Sequence, residues 1–416
     1  MTPMLVVSRE GGDGGSLRGA GSADTLAGRC VAPHLQCLRW CGFCRLAPDT
    51  KPMLRDSHYI YCLFAFSACL LYLVQECFYA YQERSDMDKL SRVMFLLLCH
   101  VTSAVKQVVF YMDTGRVDSL IREFDDPLFN QSWGARALTA TADRARRLQR
   151  AYSGAALATC VLWLVFPVAQ FLQNQPVEFA FWMPLSTRHP VGFLVVLLYS
   201  FYVTTLVGIA NTTMDAFIGT VLYQCTTQMR ILRTNLENLP DRAMEYSKAY
   251  GEDFETGLKS LFRDCLSHYQ KICSITSLLQ DLFGTAILVQ FTIGGWILCM
   301  AAYKMISLNV LSIEFASMNL FIMCILTELF VYCYFGNELT YESARLADSL
   351  YACGWEGAEV AAGRRRWFAR ALLLAGERAR RPLSVAAGRL VPLSLQTFLK
   401  ILKSSYTFYA VLRQTK

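Results

Sequence analysis

The side chains best suited to chemistry are five histidines and sixteen cysteines, and their spacing argues against catalysis. His34, His58, His100, His189 and His268 are scattered, with no HExxH, no HxxxD-like pair and no glycine-rich phosphate loop. Cys30, His34, Cys37, Cys41 and Cys44 cluster, but they contain one CxxC with no second pair at a zinc-site distance. No metal and no cofactor is expected. The most informative stretch is the last one, SLQTFLKILKSSYTFYAVLRQTK. Drawn as a helix, it puts Thr397, Lys400, Ser404, Thr407, Val411 and Gln414 on one face at alternating spacings of three and four. Such a polar stripe is costly against lipid and cheap against water. Its single apolar member, Val411, has the character of a dewetting constriction.

The rest of the chain must hold that helix in a membrane. Of 416 residues 54% are hydrophobic and 18% charged, and the mean hydropathy is +0.30, too apolar for a soluble protein of this length. Six further runs are long enough to span: 58–81, 92–112, 152–172, 191–211, 282–303 and 310–335. With 394–413 they predict an all-α membrane protein of seven transmembrane helices. Alternate connections carry 30 and 6 of the 40 Lys and Arg, and the other four lie at or in spans. That asymmetry predicts a cytoplasmic N-terminus and an extracellular C-terminus, the reverse of a G-protein-coupled receptor. The outer segments hold no cysteine, and both glycosylation sequons, at Asn130 and Asn211, fall on the inner side and should stay unmodified.

Residues 1–50 begin glycine-rich without an apolar h-region, so a disordered cytoplasmic tail is expected, with the first span inserting as a signal anchor. After span two, Val117, Leu120, Ile121 and Phe124 recur at helical spacing, and the run RARRLQR suits anionic headgroups better than nucleic acid. After span four one amphipathic helix is broken near Asn238-Leu239-Pro240, and a second carries Leu258, Leu261, Phe262, Leu266, Tyr269, Ile272 and Ile275. With the segment 337–392, these predict a helical cytoplasmic anchor bundle, and residues 51–416 read as one domain.

Several stretches are familiar. Phe335-Gly336-Asn337-Glu338-Leu339-Thr340 with Ser343, Ala347 to Tyr351 and Trp355 resembles the end of the sixth span of insect odorant receptors. Arg381-Pro382-Leu383, Ala387-Gly388, Ser394 to Phe398 and Leu402 to Tyr406 resemble the last third of that family, and Asp126-Pro127-Leu128-Phe129 also fits. The related gustatory receptors end in Thr-Tyr, five hydrophobic residues and Gln-Phe. Here Thr407-Phe408, YAVLR and Gln414-Thr415 depart from that pattern, which favours an odorant over a gustatory receptor.

The resemblance implies a ligand-gated, nonselective cation channel in the plasma membrane of olfactory neurons. It implies a heterotetramer with the common odorant receptor co-receptor, opened by a volatile small molecule. By resemblance Val411 and Gln414 fall on the hydrophobic gate and its neighbour, with Ser404 and Thr407 on the wet wall below. The odorant pocket falls in the outer halves of spans two, three, four and six, with Ala156, Thr159, Trp163, Tyr199 and Phe315 as candidate contacts. Lys400 and Lys403 are expected at the cytoplasmic mouth, since cations at the constriction would repel permeating ions. A membrane-embedded enzyme lacks a convergent catalytic set, and a transporter lacks internal duplication or paired broken spans.

Overall fold

Proline opens two of the long helices, at Pro52 and Pro190, where its missing N–H would be unpaired in any case. The computed structural model describes residues 25–414 apart from 47–49, 175–176, 178, 186, 188, 307 and 354–364. In chain order the helices are α1 (Gly28–Trp40), α2 (Pro52–Gln82), α3 (Met87–Met112), α4 (Thr114–Glu123), α5 (Ala135–Leu172) and α6 (Pro190–Glu237). They continue with α7 (Leu239–Tyr250), α8 (Phe254–Ile306), α9 (Ile313–Ala344), α10 (Leu346–Tyr351), α11 (Arg365–Ala379) and α12 (Leu395–Gln414). Among the described residues α2, α3, α5, α6, α8 and α9 are long and apolar enough to cross a membrane. The molecule is therefore a helical, multi-span membrane fold. The helix α12 has 20 residues, about 30 Å at 1.5 Å per residue, but its polar stripe makes it less apolar than the other six.

At 48 and 53 residues, α6 and α8 are roughly twice the length that a bilayer core requires. Their surplus turns pack together at one end of the bundle with α1, α4, α7, α10 and α11. The break expected near Pro240 is where α6 ends and α7 begins. Val117, Leu120, Ile121 and Phe124 are buried, as their period demands. The middle of α6 is the axis of the fold, with every residue from 210 to 229 buried. Glycine lets a neighbour close on it: a Cβ on Gly219 would lie 2.5 Å from Val331 of α9.

The expected disordered tail is corrected for residues 25–46. Here Val31, His34, Leu35 and Leu38 recur at helical spacing, and all are buried, because α1 packs on α5 and α6. Residues 1–24 lie outside the described residues. The cluster of cysteines and His34 is spread along this packing: the Cys30 thiol donates to Gln224 at 3.4 Å, Cys37 sits 3.3 Å from the Thr213 hydroxyl, and His34 Nε2 3.3 Å from that of Thr220. Among the described residues no three His, Cys, Asp or Glu converge to hold a metal.

Burial pushes the His34 imidazole down to about 4. Unfolded, it takes up a proton near its ordinary 6.5; folded, it stays neutral until about 4. Its contribution is therefore complete above pH 6.5 and is lost as pH falls toward 4, on the order of 3 kcal/mol across the window. Thermal unfolding of the solubilised protein is expected to fall between those limits, and H34Q to flatten the slope; an equal slope in both would refute this.

The two sequons are interior features. Asn130 Nδ2 donates to the Phe124 and Asp126 carbonyls at 2.8 and 2.9 Å, while its Oδ1 accepts from the Ala27 N–H at 2.9 Å. Asn211 is 4% exposed. Neither amide is placed to carry a glycan.

Candidate ligand cavity and pore helix

The resemblance expects a ligand between spans two, three, four and six, and two cavities lie between the corresponding helices α3, α5, α6 and α9. The outer one, of about 170 Å³, is aromatic: Tyr72 of α2, Phe95 of α3, Trp163 of α5, Phe179 and Phe181 of the α5–α6 connection and Phe201 of α6 line it. Ser200 adds a hydroxyl, and Lys304 and Glu314 stand at its rim. The inner one, of about 70 Å³, is lined by Tyr152, Ala156, Thr159, His100, Asn211 and Glu328 among others. Leu96, Cys160, Trp163 and Thr204 line both and so form a common wall.

Trp163 is held in that wall by two rings, Phe95 at 6.3 Å and Phe321 at 5.6 Å between centroids. It both packs and lines the cavities. Ala156 and Thr159 line the inner cavity alone, and the Thr159 hydroxyl donates back to Ala155 O at 2.9 Å. Tyr199 lines neither cavity; its hydroxyl donates to Gln75 Oε1 at 2.9 Å and its ring backs Tyr72 at 5.8 Å. Phe315 also lines neither, being the residue whose N–H is capped by Ser312 at the start of α9. Tyr72 and Phe181, 4.8 Å apart, stand where sequence reading placed no contact. Only the folding of the α5–α6 connection back over the bundle brings Phe181 there.

The larger omission is charge. Lys106 of α3 is fully buried and donates to Asp215 of α6 at 2.5 Å and to Glu328 of α9 at 2.8 Å. The Tyr332 hydroxyl also donates to Asp215, and Asn211 Nδ2 does so at 3.3 Å. Nearby, His100 Nδ1 and Glu76 Oε2 of α2 are 2.7 Å apart and buried. A charge inside a lipid-buried bundle persists when it is paired and hydrogen-bonded. Three charged residues in apolar runs, Glu76, Lys106 and Glu328, were the available signal. Their partners lie too far along the chain for spacing to find them.

The helix α12 docks on α8 and α9 by one side. Phe408 stacks on Trp296 at 5.2 Å, Phe398 meets Phe330 edge-on at 5.5 Å, and Ser405 approaches Gly295, where a Cβ would come within 3.5 Å of its hydroxyl. The opposite side exposes Lys400, Ser404, Thr407 and Val411. Ser404 and Thr407 donate to Ile401 O and Lys403 O, both at 2.9 Å. Thr397 is the exception to the stripe: it is buried, donating to Pro392 O at 2.7 Å, because the first turn of α12 is tied to the hairpin before it. Gln414 is in the last turn, and its side chain lies outside the described residues. Lys400 stands eleven residues before Val411, roughly 16 Å along the axis.

The hairpin pairs β1 (Ala386–Ala387) with β2 (Val391–Pro392) and seats on α8 through Gly388, whose N–H donates to Gly284 O at 2.7 Å. At the far end of the bundle Glu342 of α9 accepts from Arg230 at 2.7 Å and Arg233 at 2.6 Å, both from α6. These ties clamp α9, and therefore the base of α12, to the axial helix.

A family model described as "7tm Odorant receptor" matches residues 86–406. Among curated relatives, Odorant receptor 2a of Drosophila melanogaster is 24% identical over 62% of this chain and 63% of its own length. Odorant receptor 94a of the same fly is 24% identical over 58% of this chain and 59% of its own. The chain thus spans about three fifths of these two relatives, whereas Odorant receptor Or1 of Anopheles gambiae is 20% identical over 91% of this chain and 94% of its own. In fold, the chain is similar to the insect olfactory receptor OR5 from Machilis hrabei in complex with eugenol: TM-score 0.76, 15% identity, 93% of this chain and 98% of that one covered. The same receptor without a named ligand matches with a TM-score of 0.75 at 16% identity. A family match across most of the chain, on a bundle with six membrane-length apolar helices among the described residues, marks a multi-pass membrane protein: the chain belongs to the 7tm odorant receptor family.

Proposed function

We propose that the chain is an odorant-specific receptor subunit. It binds a volatile small molecule in the paired cavities and opens a nonselective cation pore lined by α12, in a heterotetramer with the common odorant receptor co-receptor. In this reading α12 is the seventh span, the N-terminus is cytoplasmic and the C-terminus extracellular. The asymmetry of 30 against 6 basic residues supports that orientation. The observation carrying the reading is two-sided: a mainly apolar cavity, in a bundle whose last helix exposes Lys400, Ser404 and Thr407 away from its own subunit. Apolar walls recognise a volatile by shape and dispersion, and a face of Ser404, Thr407 and Val411 is compatible with water and neighbouring copies.

The solved relative's complex with eugenol supports a small organic ligand for this chain by analogy of fold. Charge supports the placement of the ends of α12: Lys400 and Lys403 are exposed at its base, away from Val411. The test is co-expression with the co-receptor and recording of odorant-evoked cation current. Failure to evoke any current across a broad volatile panel, with both subunits at the surface, would sink the proposal. In a responding pair, V411S is expected to raise the resting current roughly ten-fold or more. Wetting a valine-sized apolar constriction is worth about 1.5–3 kcal/mol. An unchanged resting current would move the gate elsewhere.

A further inference from the structure

From the inner cavity we infer the chemical class of the ligand: an apolar, preferably aromatic body carrying one hydrogen-bond donor, a hydroxyl or an amine, whose donor enters the inner cavity and meets the Asn211–Glu328 side of it. The inference rests on the receptor reading for its physiological meaning, but not for its test.

Three observations carry it. First, the two cavities share a wall. The outer is ringed by Tyr72, Phe95, Trp163, Phe179, Phe181 and Phe201, suited to a flat apolar body. The inner is apolar over most of its surface and carries a few hydroxyls. Its Thr159, Thr204 and Thr212 hydroxyls have spent their protons on the carbonyls of Ala155, Ser200 and Gly208, and that of Tyr152 on Cys324 O. What they still offer is lone pairs.

Second, the charge cluster adjoins the same cavity through Glu328. Lys106 and the Tyr332 hydroxyl serve two carboxylates, and Glu328, which lines the cavity, takes its described hydrogen bond at Oε1. Lys106 lies between the two carboxylates, at 2.5 and 2.8 Å. A ligand donor that reaches Glu328 adds a hydrogen bond there, which an acceptor-only ligand does not.

Third, Asn211 lines the same cavity, is 4% exposed, and gives its Nδ2 to Asp215. Its Oδ1 is buried and finds no hydrogen-bond partner among the described residues. A buried carbonyl oxygen left in this state is disfavoured until a donor reaches it. An alcohol or ammonium projecting past Trp163 from the outer chamber would supply that donor, with rotation of the Trp163 ring joining the two spaces.

The test uses the purified full chain and three probes of one skeleton: phenylethanol, phenylethylamine and phenylethyl methyl ether. Binding is read as ligand-dependent thermal stabilisation, which needs no channel activity. The alcohol or the amine is expected to bind roughly ten-fold or more tightly than the ether, the effect of one hydrogen bond to a charged or orphaned acceptor. The E328Q variant, where it folds, is expected to shrink the ratio for the amine more than for the alcohol. The comparison of probes on the unaltered chain stands whether or not E328Q folds. Equal binding of ether and alcohol, or binding of none of the three, overturns the inference. Selective binding without any evoked current would leave the inference standing and count against the channel reading instead.

Discussion

Replacing Lys106 by methionine is expected to remove most of the folded protein from the membrane. The side chain is 1% exposed and lies between two carboxylates from helices that are distant in sequence. Methionine matches its length but leaves Asp215 and Glu328 facing each other without their cation. Breaking a buried pair from one side costs about 3–5 kcal/mol, a large share of the roughly 5–15 kcal/mol that holds a domain together. Surface biotinylation and thermal unfolding should both report a severe loss. The triple change K106M with D215N and E328Q should recover much of it, because removing every charge together leaves no unpaired ion. If K106M alone were as stable as the unaltered chain, the cluster would not be the electrostatic tie between α3, α6 and α9 that its geometry describes.

Substituting Gly336 by alanine is expected to be nearly as severe, for a steric reason. A Cβ there would lie 2.4 Å from Leu393 Cβ and 2.9 Å from the Leu393 carbonyl oxygen. Rotation of a side chain cannot relieve contact with a backbone oxygen, so α9 must separate from the segment that leads into α12. Overpacking of this kind costs about 1–3 kcal/mol or more. The displaced element is the one proposed to line the pore. G336A is therefore expected to abolish evoked current even in the fraction that reaches the surface. G336A with L393A should regain little, since the carbonyl remains. Gly376 is the control: a Cβ there meets nothing within 4 Å, and G376A in α11 should be neutral or stabilising by about 0.5–1 kcal/mol. Normal current from G336A would mean that α12 tolerates a shift of its base.

What could be read along the chain was whatever depends on near neighbours. Hydropathy marked the six membrane-length helices. Proline marked the break between α6 and α7, and helical period marked α4 and the extended start of α8. The same period singled out the face of α12 on which Lys400, Ser404, Thr407 and Val411 are exposed. Trp163, Thr159 and Ala156 were chosen by resemblance, and all three line cavities. Tyr199 and Phe315 were chosen by the same logic and stand behind or beside the walls, because one residue's difference in helix rotation turns a side chain by about 100°.

Beyond that, sequence ran out where distance began. The glycine-rich start concealed α1, whose buried face of Val31, His34, Leu35 and Leu38 matters only because α5 and α6 offer a groove for it. Thr397 carried the period of the stripe but is turned inward by the hairpin at Pro392. Lys106 could be seen as a charge in an apolar run, but its partners stand 109 and 222 residues away, at a separation no spacing rule addresses. Composition and period determined that this chain would be a membrane bundle ending in a two-faced helix, since both follow from the local balance of burial and backbone hydrogen bonding. Which buried acceptors would converge on one small cavity was decided by tertiary packing alone, because only packing brings α3, α5, α6 and α9 within hydrogen-bonding reach.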